Sequence, residues 1–458
     1  MADIPLDYQF LDSQLAPLLG ARHWYVGFSG GVDSTVLLHL LQRWRRHHPG
    51  APPLSAIHVN HNLQAQAGEW QVHCEWVCRL QQLPIVCLGG EVSPGAYGLE
   101  AAARATRYSL FEAQLQAGDV LFLGHHADDQ VETFFLRLLR GAGVQGLAAM
   151  PAERPLGAGR LVRPLLRQPR SALEAYARYH RLSWVEDPSN GDIALDRNFL
   201  RNQVLPLVAG RWPGYRRTVT RASEHIAGAA GILAQAVPVP AIIYSAMGDP
   251  GLPLAALGPG PAEASLALRH WLRTAGLPMP DQAALAEFQR QLAVVSERAR
   301  PRLQCSAYCL QRYRDGVYLL PESEPEPAPD PAAVAEPLLL APGEVLELPL
   351  AGGRLWLAPA AAGLRLAPGE RLEVAWRSGG ERCRPRGRRG GASLKKLLQE
   401  RDVPPWWRDR VPLLYLEGEL LAVGDLWLCD SSRWAGAPGP GESLWQPRWE
   451  RDIATAFD

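Results

Sequence analysis

Residues 24–35 read Trp24-Tyr-Val-Gly-Phe-Ser-Gly-Gly-Val-Asp-Ser-Thr35. Trp24 to Phe28 is a short apolar run of strand type, and from Thr35 to Arg46 apolar residues return at helical spacing. Ser29-Gly-Gly-Val-Asp-Ser34 therefore joins the end of a strand to the start of a helix. That placement matters more than the letters. The first turn of a helix presents unpaired N–H groups and partial positive charge, which attract phosphate. Gly30 and Gly31 let the backbone approach phosphate oxygens with no Cβ in the way, and Ser29 and Ser34 add hydroxyl donors around Val32. Asp33 repels phosphate unless a cation stands between them, so it implies Mg²⁺. The plain alternative is a glycine-rich turn with a Ser or Asp helix cap. With no Gly-Lys-Ser/Thr, the loop is not of the kind that grips a γ-phosphate.

Outward from this loop the strand–helix rhythm continues. Leu54–Val59, Pro84–Leu88 and Val120–Leu123 are strand candidates, with Leu182–Val185 as a fifth; 99–116 and 130–140 read as helices. The alternation predicts an α/β fold built on a doubly wound parallel sheet, with ligands at the carboxyl ends of its strands. This domain is expected over 1–215. Helical patterns dominate 216–320, including 263–274 and 281–293, with a strand pair at 303–310 and 316–320; this is read as a helical, RNA-binding domain. Pro321-Glu-Ser-Glu-Pro-Glu-Pro-Ala-Pro-Asp-Pro331 has too much proline for a helix or a central strand, so 321–337 is an extended linker. A small basic α+β domain is expected over 338–458.

The 458 residues are 47% hydrophobic with formal net charge zero, so local charge must be read instead of the total. The N-terminus lacks the basic and apolar regions of a signal peptide, and the uncharged stretch 226–248 carries Pro238 and Pro240. A cytoplasmic protein with no membrane partner is expected. Seven scattered cysteines contain no C-x-x-C, and reduced buried thiols are their simplest reading.

Four further segments carry chemistry. His58-Val-Asn-His61 closes the second strand, where an adenine or ribose would lie; a single histidine there is usually structural. Glu100, Arg104, Arg107 and Tyr108 share a helix face, which as a surface salt-bridge ladder would be worth little. Gly124-His-His-Ala-Asp-Asp-Gln-Val-Glu132-Thr133 sets Asp128, Asp129 and Glu132 directly after the fourth strand, more acids than capping explains. Such acids either share Mg²⁺ or bind a cationic substrate and take its proton. Glu186-Asp-Pro-Ser-Asn190, followed by Asp196-Arg-Asn-Phe-Leu-Arg201, is a good turn and cap, and it also puts Arg197 and Arg201 on one helix face.

The loop resembles the pyrophosphate-binding loop of N-type ATP pyrophosphatases, and the four segments resemble one branch of them, the tRNA(Ile)-lysidine synthetases. That resemblance implies cleavage of ATP to AMP and pyrophosphate, adenylylation of the 2-carbonyl oxygen of a wobble cytidine, and displacement of AMP by the ε-amine of lysine. It implies Ser29, Gly30, Gly31, Val32, Asp33, Ser34, His58, Arg107 and Gly124 at ATP, and Arg104 at the α-phosphate. Asp33, Arg104, Asp128, Asp129 and Glu132 form its catalytic set, with Asp33 and Asp129 on the metal. Glu132, Arg197 and Asn198 are placed at substrate; Asp128 is open between metal and lysine. The family has Gly-Leu-Arg after the second histidine; Asn62-Leu-Gln64 stands there in this chain, so no basic contact is assigned to position 64.

Between Arg377 and Arg410 stand eleven basic and four acidic residues. Such a stripe suits an RNA backbone, and Trp406 and Trp407 suit stacking on unpaired bases. Ser393-Leu-Lys-Lys-Leu-Leu-Gln-Glu400 reads as an amphipathic helix with Lys395 and Lys396 outward, toward the RNA. The run from Arg384 to the leucines after Pro412 is similar to the family's C-terminal domain. The expected partners are ATP, Mg²⁺, L-lysine and tRNA(Ile) with a CAU anticodon, with room for a homodimer and no DNA. Three rivals are a tRNA thiolase, which needs the missing C-x-x-C; a free amidating synthetase, which needs no basic stripe; and a catalytically dead RNA-binding protein, which needs no intact acids.

Overall fold

The computed structural model describes residues 6–61, 66–90, 99–236, 241–294, 300–321, 338–348, 353–439 and 441–453, with the side chains of 99–101 and Val294 left aside. The chain divides into two compact units, Met1–Ala236 and Val237–Asp458.

The first unit is built on a six-stranded sheet. Its strands in chain order are β1 (His23–Gly27), β2 (Leu54–Asn60), β3 (Ile85–Gly89), β4 (Asp119–Phe122), β5 (Glu153–Leu156) and β6 (Gly159–Val162). In space they run β3-β2-β1-β4-β6-β5. All adjacent pairs are parallel except the terminal β5–β6 hairpin. The order reverses between β1 and β4, the switch point where a doubly wound sheet opens a crevice. Helix α1 (Val32–His47) follows β1 and buries Val36, Leu37, Leu40, Leu41 and Trp44 against the sheet. Trp24 of β1 meets Trp44 at 5.6 Å and Phe122 of β4 edge-on at 5.3 Å, which ties the two strands to the helix. Helices α2 (Ala67–Leu80), α3 (Leu99–Gln114), α4 (Ala127–Leu139) and α5 (Arg170–Tyr179) complete the layers.

Two expectations are corrected here. Leu182–Val185 is not a strand: it is irregular, and the Val185 N–H donates to the Gly30 carbonyl at 2.9 Å, so the segment braces the phosphate loop. The fifth parallel strand is β6, entered through a hairpin whose turn needs Gly157 at φ +54°. The first unit also runs past residue 215. After α6 (Asp196–Phe199), a π-turn (Leu200–Val204) and α7 (Leu205–Arg211) comes the long α8 (Tyr215–Ala236). Leu205, Val208 and Ala209 of α7 and Tyr215 and Val219 of α8 pack on Val131 and Phe135 of α4. This apolar seam holds α8 to the first unit.

In the second unit, two helices (Pro261–Thr274 and Gln282–Val294) pack on a five-stranded antiparallel sheet through Trp271, Leu272, Phe288, Leu310 and Val317. The region expected to be helical is thus α+β. Two further five-stranded antiparallel sheets follow, with the amphipathic helix Leu394–Glu400 burying Leu394, Leu397 and Leu398. Ser393 caps it by accepting from the Lys396 N–H. The proposed linker, apart from Pro321, lies outside the described residues. Among the described residues no helix is long and apolar enough to cross a membrane.

Candidate active site

The switch point of the first unit opens into a cleft of about 530 Å³. Its floor is the loop after β1. Gly31 caps α1 with extended backbone, and Gly30 lies at φ +83°, the left-handed region that favours glycine. A Cβ on Gly30 would meet Cys74 Sγ at 3.0 Å and Val185 Cγ2 at 3.1 Å. Ser34 Oγ donates to the Gly31 carbonyl at 3.0 Å and lies 3.1 Å from Ser29 Oγ, so the loop holds its own shape. Gly124, just past β4, packs so closely that a Cβ there would be 2.9 Å from the Asp33 carbonyl oxygen. The two strand ends are thereby locked together.

One wall is cationic. Arg104 and Arg107 of α3 line the cleft with Tyr108 and His61. Arg104 and Arg154 each lie 5.1 Å over the Tyr108 ring, and Arg107 Nε donates to His61 Nε2 at 3.4 Å. Arg163, just past the end of β6, donates to His125 Nδ1 at 3.2 Å. Burial first, and then Arg104, lower the pKa of Arg107, while Arg163 is lowered by burial. None of these four arginines forms an ion pair among the described residues. Like charges held together, with no carboxylate paired to them among the described residues, favour an anion. Arg154 and Arg163 were missed in the sequence because the β5–β6 hairpin was; its one signal was the glycine-flanked turn Gly157-Ala-Gly159.

His58 Nδ1 lies 2.9 Å from the Phe28 carbonyl, which can only accept, so Nε2 is left as an acceptor on the neutral ring. Burial depresses its pKa despite that bond. His125 is driven by burial down to about 3, with Asp129 opposing, and is neutral at physiological pH. The side chain of Glu100 lies outside the described residues, as do Asn62 and Gln64.

The acidic cluster sits beside the cleft at the start of α4. His126 is its N-cap: Nδ1 accepts from the Asp129 N–H at 3.3 Å, and Asp129 Oδ2 accepts from the His126 N–H at 3.0 Å. The proton of His126 then falls on Nε2, which lies 3.5 Å from Asp33 and 3.4 Å from Asp129. Burial works against the charged ring, but the hydrogen bond to Asp33 and the charges of Asp129, Asp33 and Asp128 raise its pKa overall. Asp129 is itself pushed up by burial and pulled below the ordinary range by His126, Arg197 and His125.

The three acids have different surroundings. Asp128 accepts from the Arg170 N–H at the start of α5 at 2.9 Å and pairs with Arg216 of α8, so it is occupied in joining helices. Glu132 is fully buried and accepts from Arg197 Nε at 2.8 Å and Arg201 Nε at 2.6 Å. It therefore does not face the cleft as a free carboxylate, contrary to its expected place at a cationic substrate. Arg201, on the π-turn, also reaches Asp129 at 3.4 Å. Asn198 donates to the Ser189 and Asp192 carbonyls at 2.9 Å each, tethering the Asp-Pro-Ser-Asn turn rather than facing a substrate.

Asp33 is the exception. Its Oδ1 is buried with no hydrogen-bond partner. Such an oxygen beside a phosphate cradle fits a cation. Among the described residues no three His, Cys, Asp or Glu side chains are grouped to hold a metal. That donor set suits Mg²⁺, which commonly takes one or two carboxylates and completes its shell with phosphate and water. His126 stands between Asp33 and Asp129, so the expected shared site would require that ring to yield.

In the second unit, Lys395 and Lys396 are exposed on their helix, and Lys396 lies 3.9 Å from Glu400. Trp407 does not offer a stacking face: it is 2% exposed and its indole N–H donates to the buried Asp249 at 2.9 Å. Trp406 is half-buried, its N–H donates to the same carboxylate at 3.1 Å, and its ring packs against Tyr313 and Tyr318.

The glycine cradle at the switch point and the arginine wall define a nucleotide-dependent enzyme of PP-loop type, and residues 7–208 match the PP-loop domain family. Residues 252–318 match the TilS substrate binding domain and 372–445 the TilS substrate C-terminal domain. The chain is 40% identical over 437 residues to the tRNA(Ile)-lysidine synthase of Methylococcus capsulatus, covering 93% of this chain and 97% of that one. It is 40% identical over 464 residues to that of Pseudomonas aeruginosa, covering 98% of each. The chain belongs to the tRNA(Ile)-lysidine synthase family.

Proposed function

We propose that the chain uses ATP to join lysine to the C2 position of the wobble cytidine of tRNA(Ile) bearing a CAU anticodon, releasing AMP and pyrophosphate. The observation that carries this reading is the pairing of the glycine cradle with Arg104 and Arg107, which form no ion pair among the described residues, at the switch point of a chain of this family. The loop from Ser29 to Ser34 takes the phosphates on backbone N–H groups. His58, with Nε2 open as an acceptor, suits the exocyclic amine of adenine. Arg104 and Arg107 neutralise charge that builds on the α-phosphate as the cytosine oxygen attacks it. Bound Mg²⁺ would draw charge from the phosphates, with Asp33 as its carboxylate and Asp129 as the second.

Lysine carries two ammonium groups and one carboxylate near neutral pH. The cluster of Asp129, Glu132, Arg197 and Arg201 offers both signs of charge. Lysine can enter by exchanging these internal pairs for pairs with its own groups. A carboxylate released from its arginines then receives the ε-ammonium and accepts the proton that the amine must lose before it attacks. Lys395 and Lys396 add contacts to the RNA backbone, and a homodimer is compatible with this chemistry. The test is incubation of the protein with ATP, Mg²⁺, labelled lysine and tRNA(Ile). Label retained on the precipitated RNA, and lost when C34 is replaced by U, supports the reading; label that never joins the RNA overturns it.

A further inference from the structure

An enzyme that acts on a base in an RNA loop has to hold unpaired nucleotides, and aromatic faces are the usual means. Trp407 is buried and Trp406 is half-buried with its indole N–H held by Asp249, so an exposed stacking face has to be sought elsewhere. The large exposed aromatic side chains among the described residues are Trp76, Tyr179, Phe199, Trp212 and Tyr244. Trp212 differs from the others in its company. It is 61% exposed, with the Arg211 guanidinium 5.9 Å over its ring; Arg217 and Arg221 follow one turn apart on α8, and all three arginines are exposed and form no ion pair among the described residues. By contrast Arg216 of α8 is already neutralised by Asp128, and Arg167, in the turn before α5, by Glu224 of α8.

The position is rigid as well as exposed. Trp212 closes α7: its N–H donates to the Val208 carbonyl at 2.8 Å, and its own carbonyl accepts from the Tyr215 N–H at 2.9 Å. Pro213 stands between the two helices. The inner faces of α7 and α8 are used up against Val131 and Phe135 of α4, the helix that carries the acidic cluster. Through Arg216 on Asp128, the same turn is fixed to that cluster. An indole held on a braced turn loses little freedom when it stacks.

We propose that the turn between α7 and α8 docks a single-stranded RNA loop: the Trp212 indole stacks on an unpaired base, and Arg211, Arg217 and Arg221 on the flanking helices meet phosphates. The proposal rests on the reading that the substrate is a tRNA.

The experiment measures binding of a labelled tRNA(Ile) transcript to the full-length protein across a series of salt concentrations, alongside AMP formation. Trp212→Ala should weaken binding by about 5- to 100-fold, the range of one lost base–aromatic stack. It should raise KM for tRNA while kcat at saturating tRNA and KM for ATP are kept. Trp212→Phe, which keeps a stacking face, should restore most of the affinity. Arg217→Gln with Arg221→Gln should flatten the slope of log affinity against log salt by about one to two. A Trp212→Ala protein that binds as tightly as the parent overturns the proposal. So does a Trp212→Ala protein with unchanged RNA affinity but an altered oligomeric state by light scattering, which would make the face a contact between copies of the chain. A parent protein that does not bind tRNA at all would instead remove the functional reading beneath it.

Discussion

Replacing Gly124 by alanine adds one methyl group at the point where β4 meets the phosphate loop. The new Cβ would stand 2.9 Å from the Asp33 carbonyl oxygen, 3.0 Å from its carbon and 3.2 Å from the Ser34 nitrogen. All three are backbone atoms in the first turn of α1, so no rotamer change can relieve them. The start of the helix must shift by several tenths of an ångström, and with it the N–H groups that receive phosphate. Overpacking of this kind costs about 1–3 kcal/mol. For a cooperative unit of this size that is a fall in Tm of roughly 2–12 °C. The catalytic loss should be larger, because a misplacement approaching 1 Å at a reacting centre costs on the order of 100-fold. Thermal denaturation and AMP formation, measured side by side, separate the two effects. Gly228→Ala is the control: it lies within α8 with nothing within 4 Å of its Cβ, and it should stabilise by about 0.5–1 kcal/mol. A Gly124→Ala protein with the parent's Tm and the parent's rate would refute the claim that these two strand ends shape the cradle.

Glu132→Gln leaves Arg197 and Arg201 without their buried counter-charge and should cost about 3–5 kcal/mol by urea denaturation; it should also raise KM for lysine. A loss below about 1 kcal/mol would mean the cluster is not the internal pair described. Asp249→Ala should destabilise the second unit, since each buried indole N–H of Trp406 and Trp407 left unpaired costs about 1–3 kcal/mol; fluorescence of those tryptophans should move with it. Stability should also fall on acidification. Burial holds His39 at about 4 and His125 at about 3, both below the ordinary 6.5. Below pH 6.5 the unfolded chain takes up protons that the folded chain refuses, until the folded values are reached. Their share of the pH dependence therefore lies between about 6.5 and 3, with stability rising with pH. Urea midpoints at about pH 5 and 7.5 should differ in that sense, and His39→Gln should narrow the gap. Equal narrowing from the surface His47→Gln would assign the effect elsewhere.

The core of the fold was legible because its signals are local. The strand–glycine–helix junction at 24–35 and the regular return of apolar strands determine a doubly wound sheet, and the loop, Arg104, Arg107, His58 and Gly124 all come to one cleft. What escaped depends on pairing between distant residues. Leu182–Val185 has a strand's composition, yet its hydrogen bond goes to Gly30. Strands β5 and β6 are only four residues each and carry charge, so alternation was weak, and with them went Arg154 and Arg163. The acids of α4 were found by type, but their roles were not, because Arg197, Arg201 and Arg216 arrive from 65 to 88 residues away. Trp406 and Trp407 read as surface aromatics beside a basic run; only the buried carboxylate of Asp249, 157 residues before Trp406, shows why their indole N–H groups turn inward.

The central claim is that ATP is consumed here to activate a base of tRNA(Ile), with lysine as the nucleophile. AMP formation from ATP, measured with and without tRNA(Ile) and with and without lysine, tests it most directly, with Asp33→Asn run in parallel. The account predicts AMP only when the tRNA is present, lysine joined to that tRNA, and no AMP from the Asp33→Asn protein while thermal denaturation shows it folded. AMP formed equally without RNA, or by the Asp33→Asn protein at the parent's rate, would contradict it.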